Sequence, residues 1–452
     1  LQLLARLPFA SLAGSSIFFL AMGQIAYFTE RQNFEWLFGW YTAAFASFLL
    51  LASSPWPLKY LLWVAAIARL LLLLAVPGLS DDYFRFIWDG QLLNAGINPF
   101  LYLPSEIADN PALAGNAVDQ RLFGQMNSPD YHTIYPPVAQ LVFAVSAWFA
   151  GGKSLLPAII VMRFFMLVAD AGSVYFMLKL LRHFGLPARR VLLFALNPLV
   201  VQELVGNLHF EGVMIAFLTG CLWWLVSGRI WLAALFLAFS VASKMLPLMF
   251  LPLCWQPLGN RRFVLFASAV LGLTALLFAP FLLNEQLLRH LGGSVGLYFQ
   301  KFEFNASVYY LFRQAGYMVR DFNVIQTVGS RLSLFTVYML AVFSFFGRHH
   351  WQAVFTKMLL GLSVYFFLAT IVHPWYVTGL LALVVLAPFR YPIVWSFATF
   401  FSYSTYRTAA YTENLWLVSL EYLMVYAVIF AEILICKKAQ HLRQKGQNST
   451  FY

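Results

Sequence analysis

The sequence predicts an all-α integral membrane protein with many helical spans and one long polar loop, on three observations. Of its 452 residues, 61% are hydrophobic and only 10% charged, where a soluble domain averages about 45–50% apolar and about 25% charged. No soluble core can hide that much apolar surface. The mean hydropathy is +0.74, and 46 Phe and 14 Trp suit a chain whose solvent is lipid. The acidic residues, finally, are concentrated in a single stretch between apolar runs.

A membrane span needs about 20 apolar residues, fewer where a neighbouring half-helix completes the crossing. Twelve stretches qualify: 11–28, 36–54, 58–78, 155–181, 191–206, 210–227, 264–281, 331–346, 353–371, 375–388, 393–408 and 414–435. Two others, 137–150 and 231–255, do not read as simple crossings. The second is interrupted by Ser243, Lys244 and Pro247 and is expected to be a broken helix or a tight hairpin entering and leaving by one face. No internal repeat or low-complexity linker divides the chain, so residues 1–452 read as one transmembrane domain with a short polar tail, 436–452.

The formal charge of +11 is spread in short groups at the ends of apolar segments, not in a nucleic-acid-binding stripe. Arg182, Arg189, Arg190, Arg229, Arg261, Arg262, Arg348, Arg390 and the tail Lys437, Lys438, Arg443 and Lys445 all fall on one side of this topology, the cytoplasm by the positive-inside rule. Both termini are then cytoplasmic, and loops 79–136 and 282–330 face the periplasm or a lumen. One extra crossing at either irregular stretch would invert the region between them. Cys221, Cys254 and Cys436 lack disulfide or metal-ligand spacing and read as packing residues. The chain starts at Leu1, and residues 1–10 have no clear signal-peptide pattern.

Loop 79–136 holds Asp81, Asp82, Asp89, Glu106, Asp109, Asp119 and Asp130, seven of the 18 acidic residues. A loop this long is rarely a simple connection. Glu106, Asp109 and Asp119 fit a solvated surface. Asp81 and Asp82 directly follow an apolar run and so lie at the membrane surface. In Ser80-Asp81-Asp82-Tyr83-Phe84-Arg85-Phe86-Ile87-Trp88-Asp89-Gly90, Asp82, Arg85 and Asp89 recur at three and four residues, which favours a short interfacial helix with one charged face. A partly desolvated carboxylate beside an arginine can stay ionised and act as a general base. An ion-paired helix cap fits the same residues equally.

The string Asp81–Gly90, the following Gly96-Ile97-Asn98-Pro99 and Tyr135-Pro136-Pro137 resemble bacterial GT-C glycosyltransferases, with the closest likeness to polyprenyl-phosphate-mannose-dependent mannosyltransferases. Matching pieces continue through Asn197-Pro198, Gly206-Asn207-Leu208-His209-Phe210-Glu211, Ser243-Lys244, Phe304-Asn305-Ala306-Ser307 and His373-Pro374-Trp375-Tyr376, so the likeness covers residues 60–376. Phe84, Phe86 and Phe210-Glu211 depart from the usual pattern, which bears on the sugar contacts. The resemblance implies a GT-C-type helical bundle and an inverting glycosyltransferase. It would move a sugar, mannose favoured, from a polyprenyl-phosphate donor to a lipid or glycan hydroxyl at the non-cytoplasmic face, in a bacterial inner membrane. It implies Asp82 as base, with Asp81 the second candidate.

Lys244 interrupts an apolar stretch, and an intramembrane charge costs about 2.5–3.5 kcal/mol on insertion scales, so it usually marks a functional site; it is the leading candidate for the donor phosphate. A lysine that snorkels to the interface is the plainer reading. His209 and Glu211 are candidates for the sugar or phosphate, or a plain interfacial ion pair. His373, Tyr376, Tyr135, Arg85 and Asn305 complete the candidate donor site, although Arg85 could instead pair with Asp89, and Asn305 could cap a helix. Arg163 and Asp170, seven apart in one span, point to structural pairing. No cofactor and no metal are expected, since protein cations can stabilise a departing phosphate, although Asp81 and Asp82 together could hold a divalent ion. The expected partners are membrane lipid, the polyprenyl-phosphate sugar and its acceptor, without nucleic acid. Two rival readings are a secondary transporter with a broken-helix substrate site and a non-catalytic lipid-binding scaffold on the same fold.

Overall fold

The computed structural model describes residues 8–281 and 302–448, apart from 114, 116, 117, 152, 153 and 409. The protein is a polytopic helical membrane protein, and among the described residues the only β-pairing is an isolated bridge between Phe304 and Ile371. Helices dominate because a helix satisfies every backbone N–H and C=O within itself, as lipid requires.

The helices follow in order. Three precede the long loop: α1 (Pro8–Tyr27), α2 (Phe34–Ala52) and α3 (Leu58–Leu71). The loop region holds α4 (Asp82–Asn94), α5 (Pro104–Asp109) and α6 (Gln120–Phe123), and α7 (Pro137–Ala150) closes it. The central bundle comprises α8 (Leu155–His183), α9 (Leu192–Ala195), α10 (Pro198–Val200), α11 (Glu211–Val226), α12 (Ile230–Ser243), α13 (Trp255–Leu258) and α14 (Asn260–Phe278). The last part contributes α15 (Val308–Arg320), α16 (Ile325–Phe345), α17 (Trp351–Leu368), α18 (Val377–Val384), α19 (Tyr391–Ala398) and α20 (Leu415–Asn448).

Seven of the twelve expected spans are single helices long and apolar enough to cross, namely α1, α2, α8, α14, α16, α17 and the first part of α20. The others are shorter or broken. Stretch 58–78 is helical only to Leu71, and 393–408 is α19 followed by a 3-10 segment, Thr399–Arg407. Stretches 191–206 and 210–227 do not form two straight crossings. There α10 runs into a π-helical turn, Val201–Gly206, and meets α11 at 113°. The chain turns at Leu208, whose φ of 62° is left-handed, a conformation a side chain of this size rarely adopts. Stretch 231–255 breaks where expected: α12 ends at Ser243, Lys244 is extended, and a 3-10 segment, Leu246–Cys254, follows. Of the second loop, residues 282–301 lie outside the described residues; the rest contains the Phe304 bridge and α15. The polar tail continues α20 as far as Asn448. Cys221 and Cys254 are buried, whereas Cys436 is exposed on α20 and does not pack into the core.

The 79–136 loop is folded onto the bundle through an aromatic core of its own, in which Phe86 stacks on Phe143 at 4.5 Å and Phe210 meets Phe143 edge-on at 4.9 Å. Gly90 permits this docking, because a Cβ there would lie 2.2 Å from the carbonyl oxygen of Phe143 on α7. The helix expected from the Asp82, Arg85, Asp89 spacing is present as α4, but two of its three charges point inward. Arg85 and Asp89 are buried and paired at 2.8 Å, Gln140 donates to Asp89, and Arg85 also donates to the carbonyls of Ser128 and Tyr131. The loop segment beyond α4 closes over this face and replaces water as its hydrogen-bonding partner.

Side-chain ties collect the short connections at two ends of the bundle. At one end Arg189 donates to the carbonyls of Trp56 and Ser54, beyond the C-terminus of α2, and Arg190 to those of Val384 and Ala387 at the end of α18. Cations suit these helix C-termini, where carbonyls lack intrahelical donors. The segments around residues 31, 81, 209, 305, 373 and 407 meet at the other end. Within the bundle Arg163 and Asp170 do have structural partners, but not each other. Asp170 pairs with Arg69 at 2.7 Å, and Arg163 donates to the carbonyls of Leu73, Val205 and Gly206, which the irregular turns leave open.

Candidate functional site

Asp81 and Asp82 begin α4 at the second end of the bundle, and the structure treats them differently. Arg31, from the turn between α1 and α2, reaches the Asp81 carboxylate at 2.7 Å and lies over the Tyr406 ring at 4.8 Å. Asp82 has no cation in contact among the described residues. Its two oxygens accept from neutral donors, the Asn127 amide at 3.0 Å and the Tyr135 hydroxyl at 3.1 Å. Tyr135 is itself held edge-on against Phe86 at 4.8 Å. Asp82 is therefore oriented, partly exposed and not neutralised, as a general base requires. Asp81 is committed to Arg31 instead of to a cation shared with Asp82.

Opposite these acids stands a stack of rings. Trp375 lies between His209, 3.8 Å from it, and His373, 4.3 Å from it, both nearly parallel, and Phe304 packs on His373 at 4.8 Å. The protein strips water from the His373 imidazole and pushes it down to about 3, against the pull of Asp82 and with the push of His209 and Lys244, so the ring is neutral at physiological pH. Asp82, His209 and Lys244 thus all lie within electrostatic reach of this ring.

Lys244 occupies the break after α12, where its backbone leaves the helix and its ammonium turns to two partners. It forms an ion pair with the buried Glu211, the first residue of α11, and lies over the Tyr376 ring at 4.5 Å. Aromatic faces and a buried carboxylate together stabilise a cation that would otherwise be costly in lipid. About a third of the Lys244 side chain remains exposed.

Eight of the ten candidate residues thus converge: Asp81, Asp82, Tyr135, His209, Glu211, Lys244, His373 and Tyr376. Arg85 stands apart, locked beneath α4. Asn305 also stands behind the site, with a left-handed φ of 48°. Its backbone N–H donates to Glu413, its side-chain amide to the carbonyl of Val372 and to Glu421, and its carbonyl accepts from Tyr422. It fastens segment 304–305 to the segment that leads into His373, and the helix that follows begins beyond it at Val308.

Sequence reasoning missed Arg31, Asn127, Tyr406, Glu203 and Tyr403. Glu203 carried a usable signal, an acid inside an apolar stretch. Its carboxylate is fully buried and accepts from the Tyr403 hydroxyl at 2.6 Å and the Asn207 amide at 3.0 Å. Arg31 and Tyr406 carried none, since their relevance comes only from distant segments meeting.

A family model described as Alpha-(1->6)-mannopyranosyltransferase, N-terminal domain, matches residues 32–258, half of the chain. That region contains Asp81, Asp82, Glu203, His209, Glu211 and Lys244, while Arg31, His373, Tyr376 and Tyr403 lie outside it. The Alpha-(1->6)-mannopyranosyltransferase A of Mycobacterium tuberculosis (strain ATCC 25618 / H37Rv) is 28% identical over 195 residues, 42% of this chain and 36% of that protein. The alignment therefore covers little more than a third of the relative.

Proposed function

Because the chain belongs to the alpha-(1->6)-mannopyranosyltransferase family, of the GT-C type, we propose that it transfers mannose from a polyprenyl-phosphate donor to a hydroxyl of a lipid or glycan acceptor. The observation that carries this reading is the asymmetry of the two acids: Asp81 is neutralised by Arg31, and Asp82 is held by neutral donors beside a cation-bearing break in the bundle.

In the proposed reaction Asp82 takes the proton of the acceptor hydroxyl as its oxygen attacks the anomeric carbon from the face opposite the phosphate. The C–O bond to phosphate breaks, the configuration inverts, and the electron pair leaves on the phosphate oxygen. Lys244 stabilises the charge that develops there, with Tyr376 fixing its direction. The sugar would lie at the edge of the His209–Trp375–His373 stack, whose inner faces are covered by one another and by Phe304.

The site faces the periplasm or exterior in this reading, in a bacterial inner membrane. Support comes from the arginines tied to the opposite end of the bundle, Arg189 and Arg190, because the cytoplasmic side collects basic residues. The test is transfer of radiolabelled mannose from synthetic polyprenyl-phosphate mannose to a membrane lipid extract by the purified protein and by Asp82→Asn. Label moved by the wild type and not by the variant is expected. No transfer by either, repeated with glucose and arabinose donors, would favour a transporter or a scaffold.

A further inference from the structure

The buried carboxylate of Glu203 is a group the transfer reaction as written does not use. It sits in the π-helical turn with no exposed surface. A carboxylate so placed persists only when donors fill its lone pairs. Tyr403 and Asn207 supply two, and His209 Nδ1 lies 3.2 Å from the second oxygen. The same nitrogen is 3.1 Å from the main-chain carbonyl oxygen of Glu203. Among the described residues two acceptors and no donor face Nδ1, the hydrogen bond being made to the main-chain carbonyl with the carboxylate beside it, so Nδ1 carries a proton. The ring's other nitrogen, Nε2, is buried and has no hydrogen-bond partner among the described residues. An imidazole held by Nδ1–H presents a lone pair at Nε2.

The backbone is shaped for this contact. Residues 203 and 209 are six apart and would diverge on a straight α-helix. The π turn, the left-handed Leu208 and the 113° bend carry His209 back to Glu203, with its N–H bonded to the Glu203 carbonyl at 3.2 Å. Strain of this sort is held where the surroundings overdetermine it, and it clusters at functional sites. The ring then lies flat on Trp375, one layer from His373.

From this geometry we infer that Glu203 is a positioning residue for mannosyl transfer, acting through His209. It keeps Nδ1 protonated and the ring against Trp375, so that Nε2 accepts a hydrogen bond from one hydroxyl of the transferred sugar. The inference rests on the transferase reading above.

Two measurements test it. In the full-length protein in bilayers with ring-15N histidine, solid-state NMR reads the protonation of His209, whose signals are identified by their loss in His209→Gln. The wild type between pH 7 and 8 is expected to show Nδ1 protonated and Nε2 bare, and Glu203→Gln to show a mixture of both neutral forms. Two protonated nitrogens in the wild type, or an unchanged His209 in Glu203→Gln, would overturn the inference. The second measurement compares polyprenyl-phosphate mannose donors that each lack one hydroxyl. One of them is expected to lose about tenfold in kcat/KM with the wild type, as for a single lost hydrogen bond. The same donor should lose under about threefold, against the full sugar, with His209→Ala or Glu203→Gln. Equal losses in all three proteins would refute it. Tyr403→Phe removes a donor from Glu203 and spares the contact with His209; it is expected to fall between wild type and Glu203→Gln in both measurements and serves where Glu203→Gln does not fold. No transfer by the wild type would overturn the transferase reading, an outcome the NMR result separates from failure of the Glu203–His209 lock.

Discussion

Asp82→Asn separates chemistry from folding, because the structure allows both effects to be sized. Asparagine has nearly the shape of aspartate, and its Oδ1 can still accept from the Tyr135 hydroxyl. Its Nδ2 would then face the Asn127 amide, donor against donor, in place of the present 3.0 Å bond. One partly exposed hydrogen bond is thereby lost, worth about 0.5–1.5 kcal/mol. The catalytic loss is larger, since a positioned general base contributes about 10²–10⁴-fold, equivalent to about 2.7–5.5 kcal/mol at the transition state. Asp82→Asn should therefore leave the melting temperature within a few degrees of wild type and reduce kcat at least a hundredfold. Asp81→Asn should differ from it in activity. It weakens a partly buried ion pair with Arg31, worth about 1 kcal/mol, somewhat more than a typical exposed pair, and should leave kcat/KM within tenfold. The assay is radiolabelled mannose transfer alongside thermal unfolding in detergent. Equal loss from the two substitutions, or more than a tenth of wild-type activity in Asp82→Asn, would refute the assignment of the base.

Lys244→Met should raise the donor KM about tenfold and also lower stability, because Glu211 would be left buried without its cation; the double variant Lys244→Met/Glu211→Gln should recover stability without recovering donor affinity, as thermal unfolding and steady-state kinetics would report. Gly90→Ala drives a Cβ to within 2.2 Å of the Phe143 carbonyl and should destabilise by about 1–3 kcal/mol, with activity falling as α4 lifts from α7; wild-type stability and rate would contradict the close approach. Arg69→Met leaves Asp170 buried and unpaired, at a cost of about 3–5 kcal/mol, and Arg69→Met/Asp170→Leu should restore most of it, measured by denaturation. His373 has its folded pKa depressed to about 3, below the ordinary histidine value of about 6.5, so its contribution to stability is complete above about pH 6.5 and is lost as pH falls toward 3. Wild type should therefore lose stability faster than His373→Asn on acidification across that window, by up to about 1.4 kcal/mol per pH unit, and parallel melting curves would contradict a neutral, desolvated ring.

Membrane class and helical architecture were legible in composition and in the apolar runs, because lipid leaves the backbone few options. Local chemistry was legible too: the paired acids after an apolar run, the lysine breaking a span, and the ordered motifs shared with the GT-C enzymes. Tertiary structure decided what those residues touch. Spacing put Asp82, Arg85 and Asp89 on one helical face, but only folding of the loop over α4 turned Arg85 and Asp89 into a buried network while Asp82 stayed open. Adjacent in sequence, Asp81 and Asp82 look interchangeable; an arginine some fifty residues earlier makes them different. Glu203 falls in one expected span and His209 in the gap before the next, and only the bend at Leu208 brings the His209 ring onto the Glu203 carbonyl. The physical reason is one of range. Hydrophobic periodicity and solvent choice act over a few residues and are written along the chain, whereas the charge state and aim of a catalytic group depend on partners brought together from tens to hundreds of residues away.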